Sequence, residues 1–498
     1  MCLAMEFTWL LLLLFITTTI FLLLHLNPTP TPNFTPLKPY PILQNLPHLV
    51  KNSHRLLFFV TELVSSSPSS TSTLIPFVFT SNPSNVEHML RSNFPNYIKG
   101  SSVISTLHDF LGDGIFNSNG PLWRLQRKTA SFEFNTKSLR SFIFHHVRHE
   151  SLHALLPILS NTSRASLPVL IDLQDLLERF AFDNVCSLVF GHDPRCLHDS
   201  ADGLRFFHAF QEASHLSIER MNHAFDLLWK VNKWLNVGSE RRLNHSLLIV
   251  REYASRFVSL RKTQAGDDLL SRFAADETIS DDLLVDILIC FVLAGRDTTP
   301  AALSWFFWLL SSRPDVSRNI LVEIQSIRAR SGDRDGDRFF SLEELREMNY
   351  LHAALSEAMR LYPPVPLLPR CAAEDDVLPD GTFVKKGWTL MYNAYAMGRM
   401  ESIWGKDCME MRPERWLKDG VFKPTSPFRY PVFLGGPRMC LGKEMAYIQM
   451  KAVAACILEK FDIDVVGASG EPQLSVTMTM KGGLPVRIKE RNPCTKAV

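Results

Sequence analysis

Apolar and polar residues recur along most of this chain with the period of an α-helix. Apolar positions fall three and four apart over Asp172–Phe190, Asp281–Ser312, Leu342–Leu361 and Lys443–Phe461, which predicts helices there. The longest, Asp281–Ser312, is apolar nearly all round through its middle, so it belongs in the interior of a large body. STLIPFVFT (Ser72–Thr80) has the β-branched and aromatic content of a strand. Shorter strand-like pieces lie at Thr382–Val384, Thr389–Tyr392 and Leu484–Ile488. The stretches Arg261–Asp268 and Gly332–Arg338 are charged and glycine-containing and read as solvated connections. The expected fold class is mainly α with a minor β part.

The N-terminus departs from this pattern. FTWLLLLLFITTTIFLLLHL, Phe7–Leu26, is twenty residues without Asp, Glu, Lys or Arg. At about 1.5 Å rise per residue it matches a bilayer core of about 30 Å. No basic segment precedes it and no small-x-small site follows, which argues against a cleaved signal. Only Glu6 is charged before the span, whereas Lys38, Lys51 and Arg55 follow, so the positive-inside bias places the body in the cytoplasm. The expected organisation is a membrane anchor (1–26), a proline-rich spacer (27–48) and one large body (49–498). The spacer's prolines favour extended backbone.

Composition narrows the function. The 498 residues are 46% hydrophobic with a net charge of +2, so nothing pulls the chain toward nucleic acid. Nine cysteines are scattered singly, which argues against a disulfide framework, against zinc and for a reduced compartment. His145 and His146 are adjacent, would not share a helix face, and read as surface residues.

Four local patterns carry candidate chemistry. AGRDTT (Ala294–Thr299) places a glycine, an acid and two hydroxyls inside the apolar helix, followed by Pro300. Either the threonines bond back to the preceding turn, or the helix widens to admit something small and polar, with Pro300 freeing a carbonyl and tending to kink the chain. Glu357 and Arg360 share a helix face before Pro363-Pro364. Alone they read as a surface pair, but Arg415 in PERW could complete a buried structural triad. Trp123 and Arg127 in GPLWRLQRK project together and can donate to an anion. Finally, FLGGPRMCLGKEMA (Phe433–Ala446) crowds three glycines round Cys440 ahead of a helix.

In chain order these read W-x-x-x-R, A-G-x-D-T-T, E-x-x-R, P-E-R-W and F-x-x-G-x-R-x-C-x-G. The whole resembles the cytochrome P-450 superfamily, with Phe433, Gly436, Arg438, Cys440 and Gly442 at the family spacing. GPLWRLQRKTASFEFN, FVLAGRDTTPAALSWFFWLL, MYNAYAMGRM and GKEMAYIQMK look like the plant fatty-acid ω-hydroxylase branch, whose related members oxidise jasmonoyl-amino acid conjugates. Two departures stand out: Pro300 where relatives usually carry Ser, and Leu434-Gly435 where a polar residue and Ala are usual.

The resemblance implies a haem-thiolate monooxygenase of the cytochrome P-450 fold. Cys440 would be the axial ligand of haem b iron, and Gly436 and Gly442 would let backbone approach the macrocycle. Trp123, Arg127, Arg370 and Arg438 would hold the haem propionates. Thr298 and Asp297 would deliver protons while Ala294 and Gly295 make room for O2. Electrons would come from NADPH through a membrane-bound reductase, docking near Arg124, Lys128 and Lys443. The setting implied is the endoplasmic reticulum membrane, single-pass, with the catalytic body cytoplasmic. Rough alignment gives the pocket lining as Ser101–Asn119, Phe291–Ala294, Val365–Leu367 and the turn near Met478, with Phe110, Phe116 and Phe291 confining the chain. The expected substrate is a fatty acid hydroxylated at or near the ω carbon, or else a jasmonoyl conjugate. Haem-thiolate isomerases or dehydratases typically lose the helix threonine, and a non-enzymatic haem sensor would not need the acid–alcohol pair. Both features stand intact here.

Overall fold

Ser280 turns the chain into its longest helix. Its hydroxyl accepts from the Leu283 N–H at 3.3 Å, and Asp281 and Asp282 in the first turn oppose the positive end of the helix dipole. The helix runs Asp281–Ser311 and passes Pro300 without a break. The hydroxyl of Ser304 donates to the Pro300 carbonyl at 2.7 Å.

These contacts come from a computed structural model that describes residues 33–40, 44–134, 137–165, 169–222, 226–264, 268–276, 278–332 and 338–491. The predicted anchor and the first part of the spacer lie outside the described residues. Among those described, no helix is long and apolar enough to cross a membrane. The far end of the spacer is helical, from Leu46 to Lys51.

The described residues fall into two compact units. The smaller joins residues up to Gly100 with Leu367–Ala396; the larger joins Ser101–Pro366 with Met397–Val498. The smaller holds a five-stranded sheet in the order Thr71–Leu74, Phe77–Thr80, Thr389–Asn393, Leu367–Ala372, Tyr97–Ile98. The predicted single strand Ser72–Thr80 is thus two antiparallel strands turning at Ile75-Pro76, where Pro76 has no N–H for a ladder. Asn33, part of a glycosylation sequon, is buried. Its amide donates to Phe383 O at 2.7 Å and its Oδ1 accepts from Phe383 N at 2.8 Å.

The larger unit is helical around the central Asp281–Ser311 segment. Helix Leu173–Phe190 crosses it. Asp172 caps that helix and Gly191, with φ of +63°, ends it. Asp172 also accepts from Leu484 N at 2.8 Å, which ties the helix start to the sheet Phe461–Val465, Pro485–Glu490, Ile171–Asp172. Trp305 of the central helix is fully buried, stacks on Tyr362 at 4.0 Å and donates to Met478 O at 2.9 Å. A ring of that size contributes about 4–6 kcal/mol of apolar burial.

Two further expectations change. Leu342–Leu361 is not one helix but two, Leu342–Glu347 and Asn349–Leu361. The Glu323 carboxylate accepts from Tyr350 N at 2.7 Å and Leu351 N at 2.9 Å, starting a second helix where the first ends. Arg261 is helical rather than in a loop, in the last turn of Gly238–Thr263, and pairs with Asp268 at 2.5 Å.

Candidate active site

The central helix is buried on all sides through its middle except at Phe291, Ala294, Gly295 and Thr298, which are partly open. Their spacing of three, four and seven makes one face. A helix that opens a single small-residue face inside a protein borders a space meant to be filled. Thr298 Oγ1 donates to Ala294 O at 2.8 Å, as a threonine in a helix often does. At Gly295, expected to make room for O2, a Cβ would meet Val185 Cγ2 at 2.6 Å. Its missing side chain lets helix Leu173–Phe190 pack close.

Asp297 points elsewhere. It is buried and pairs with Arg296; burial holds its carboxyl above the usual range, with Arg296 opposing. Arg296 lies over the Phe207 ring at 4.8 Å, and its Nη2 is 4.0 Å from Glu178 Oε2. Glu178 is pushed up to about 7, first by burial, with Arg296 opposing.

The Cys440 loop reaches this open face through one ring. A Cβ at Gly442 would stand 4.0 Å from both Cys440 Sγ and Phe134 Cε1, and Phe134 stacks on Phe291 at 5.7 Å. Gly436 has φ of +62°, a conformation glycine adopts freely. The Cys440 N–H donates to Phe433 O at 2.8 Å, which closes the loop. At Gly435, the usual Ala would press its Cβ to 2.5 Å from the Phe428 ring. Phe428 therefore explains that departure.

Solvent reaches Cys440 from one side while protein rings it. Burial pushes its thiol up; the Gly442 N–H, Arg127 and Lys443 pull it down. It opens on a cavity of about 570 Å³ whose lining includes Arg127, Arg346, Lys443 and Lys451 against Glu444. Burial lowers Lys451 to about 8 and His352 to about 3. Arg124, Lys128 and Lys443 are all exposed.

Arg438 lies 4.2 Å over the Trp123 ring and donates to Ser118 O at 3.1 Å and Asn119 Oδ1 at 3.2 Å. Ser118 Oγ is buried without a partner among the described residues. Burial lowers Arg127, and the charge acting on it is that of Cys440. Arg370 belongs to the smaller unit, on strand Leu367–Ala372. It is buried, donates to Pro369 O at 2.8 Å, and is lowered by burial.

Glu357, Arg360 and Arg415 come together. Arg360 donates to both carboxylate oxygens of Glu357 at 2.8 Å and Arg415 to Oε1 at 3.2 Å. Of the three proposed chain-confining rings, Phe110 packs edge-on to Phe210 at 5.2 Å, Phe291 sits between Phe134 and Phe273, and Phe116 is exposed. Sequence reasoning passed over Phe134, Arg296 and Glu178. Arg296 stood inside a quoted motif; Glu178 gave no local signal.

These parts define a haem-thiolate site: one cysteine in a glycine-rich loop, cations beside it, and a helix opening one face toward it. The residues of the larger unit fit haem, because an open small-residue face, an orphaned Ser118 hydroxyl beside Arg438 and the half-buried guanidinium groups of Arg127 and Arg438 suit a flat dianionic macrocycle. The sequence matches the cytochrome P-450 family over residues 35–489. The chain belongs to the cytochrome P-450 family and is a monooxygenase. Its relatives include cytochrome P-450 CYP94D108 of Paris polyphylla, 52% identical over 90% of this chain and 91% of the relative. Cytochrome P-450 94A1 of Vicia sativa is 42% identical over 91% and 90%, and cytochrome P-450 94C1 of Arabidopsis thaliana 45% over 87% and 89%. Within the family the chain is CYP94-like.

The family implies haem, O2 and electrons from a reductase. Thiolate-ligated haem iron supplies the chemistry that cleaves O–O.

Proposed function

We propose that this enzyme hydroxylates a fatty acid at or near its ω carbon. The observation carrying the reading is the open face of Phe291, Ala294 and Thr298, which bears no charge and is narrowed by Phe291 to the small side chain of Ala294. Arg296 and Asp297 are turned away into the interior. An apolar, narrow space suits a thin acyl chain. A primary C–H bond is stronger than a secondary one, so terminal attack requires geometry that lets only the chain end reach the iron. In this reading Cys440 ligates haem iron, while Trp123, Arg127, Arg370 and Arg438 hold the propionates. Asp297 and Thr298 deliver protons, and Glu357, Arg360 and Arg415 brace the fold behind the site. NADPH–cytochrome P-450 reductase supplies the electrons at an endoplasmic reticulum membrane, where the apolar segment Phe7–Leu26 anchors the enzyme and lipid substrates partition.

Incubating the enzyme with reductase, NADPH and a panel of fatty acids and jasmonoyl conjugates tests this. Products at or next to the terminal carbon of a free fatty acid are expected. Mid-chain products would refute the end-on pose, and turnover of the conjugate alone would refute the fatty-acid assignment.

A further inference from the structure

Asp297, the acid assigned to proton delivery, is buried and needs a source of protons. Arg296 lies between two carboxyl groups, paired with Asp297 on one side and 4.0 Å from Glu178 on the other. One guanidinium balances one negative charge, so the second carboxyl is stabilised in its protonated form. Both Nε and Nη2 of Arg296 are buried without a hydrogen-bond partner among the described residues. Buried donors of this kind are satisfied by ordered water, and 4.0 Å to Glu178 is a distance a water bridges.

The other end of Glu178 leads outward. Asp175 and Glu178 are three apart on helix Leu173–Phe190 and share a face, and Asp172 caps the start of that helix. Asp172 is exposed and the Asp175 side chain is 43% exposed, whereas Glu178 is 14% exposed. The charges acting on Glu178 include Arg296, Asp297, Asp175 and Asp172, and Asp175 is itself paired with Arg179 at 2.9 Å. Helix Ala201–Glu219 places the rings of Phe207 and Phe210 over Arg296.

We propose that Glu178 resupplies Asp297 with protons, taking them from solvent at the Asp172–Asp175 end of its helix and passing them across Arg296. A proton leaves the Glu178 carboxyl for water at Arg296, one moves from that water to the Asp297 carboxylate, and one from solvent returns to Glu178. Only O–H bonds change and no electrons move. Glu178 acts through Asp297 and touches neither substrate nor cofactor. Its carboxyl, pushed up to about 7, holds a proton below neutral pH and loses it above. The inference rests on Asp297 delivering protons.

The test compares full-length wild type with Glu178→Gln and Asp297→Asn, each loaded with haem. Infrared difference spectra between pH 6 and 8 should show a protonated-carboxyl band that titrates near neutrality in wild type and is missing from Glu178→Gln. Product per NADPH should fall in wild type as pH rises through about 7, and should be low and flat with pH in Glu178→Gln. The expected loss is on the order of tenfold, since a positioned proton donor is worth roughly 10²- to 10⁴-fold and bulk water replaces part of it. A wild-type protein without the titrating band overturns the proposal, as does a Glu178→Gln variant with unchanged coupling and pH profile. If Asp297→Asn uncouples and Glu178→Gln does not, the relay fails while Asp297 keeps its role. If neither uncouples, Asp297 loses its role as well. Should Glu178→Gln fail to hold haem, Glu178→Asp replaces it. That acid is one methylene shorter, so coupling equal to wild type overturns the relay and reduced coupling supports it.

Discussion

Glu357→Ala should destabilise this enzyme by several kcal/mol, about 3–5. The carboxylate is completely buried and accepts five hydrogen bonds, from Arg360 Nε and Nη2, Arg412 N, Arg415 Nε and Trp416 Nε1, at 2.8–3.2 Å. Arg360 is 1% exposed and has no route to water once its partner is gone. Its remaining bonds to the carbonyls of Gly398, Cys408 and Glu410 satisfy its N–H groups but not its charge. Removing one partner of a buried pair costs about 3–5 kcal/mol, set against typical margins of about 5–15 kcal/mol. At about 2.1 cal/mol/K per residue of unfolding entropy, a cooperative chain of 498 residues loses about 1 °C per kcal/mol, so Tm should drop by roughly 3–5 °C. Glu357→Gln keeps the shape but only one accepting oxygen, and should fall between. Thermal melts followed by circular dichroism, with haem content measured on the same samples, decide it. A Glu357→Ala protein that melts within 1 °C of wild type with full haem content would show that the carboxylate carries no such weight.

Two further outcomes are expected. Thr298→Ala should fold and bind haem, because its hydroxyl donates only to Ala294 O and such a bond contributes about 0.5–1.5 kcal/mol. Product per NADPH should nonetheless fall on the order of tenfold, and an unchanged ratio removes Thr298 from proton delivery. Glu150→Gln should stabilise the protein at alkaline pH. Glu150 is buried beside Asp183 and Asp193, and burial first, then Asp193, pushes it up to about 7. With a folded value above the unfolded one of about 4.3, the folded state binds the extra proton, so wild-type stability falls as pH rises from about 4 to about 7. The Tm advantage of the variant should therefore grow by about 1 °C per pH unit across that window and then level off. An advantage that shrinks with pH rejects the assignment.

What the sequence determined by itself is local. Helix starts at Ser280 and Asp172 and the stop at Gly191 follow from a side chain bonding its own neighbouring N–H groups, or from a glycine taking positive φ. The glycine-rich loop around Cys440 and the pairing of Glu357 with Arg360 were legible because short spacings fix which groups meet. The tertiary structure decided what depends on residues far apart in the chain. Helix Leu342–Leu361 breaks because Glu323, on a different helix, captures the N–H groups of Tyr350 and Leu351. Gly295 is small because Val185 approaches it, a fact its own helix does not encode. Phe110 and Phe291 pack against Phe210 and Phe134, neighbours that only the fold supplies. Glu178 lies 118 residues before Arg296 in the chain. Its raised proton affinity comes first from burial, which no window of sequence contains, because only packing sets the dielectric around a carboxyl group.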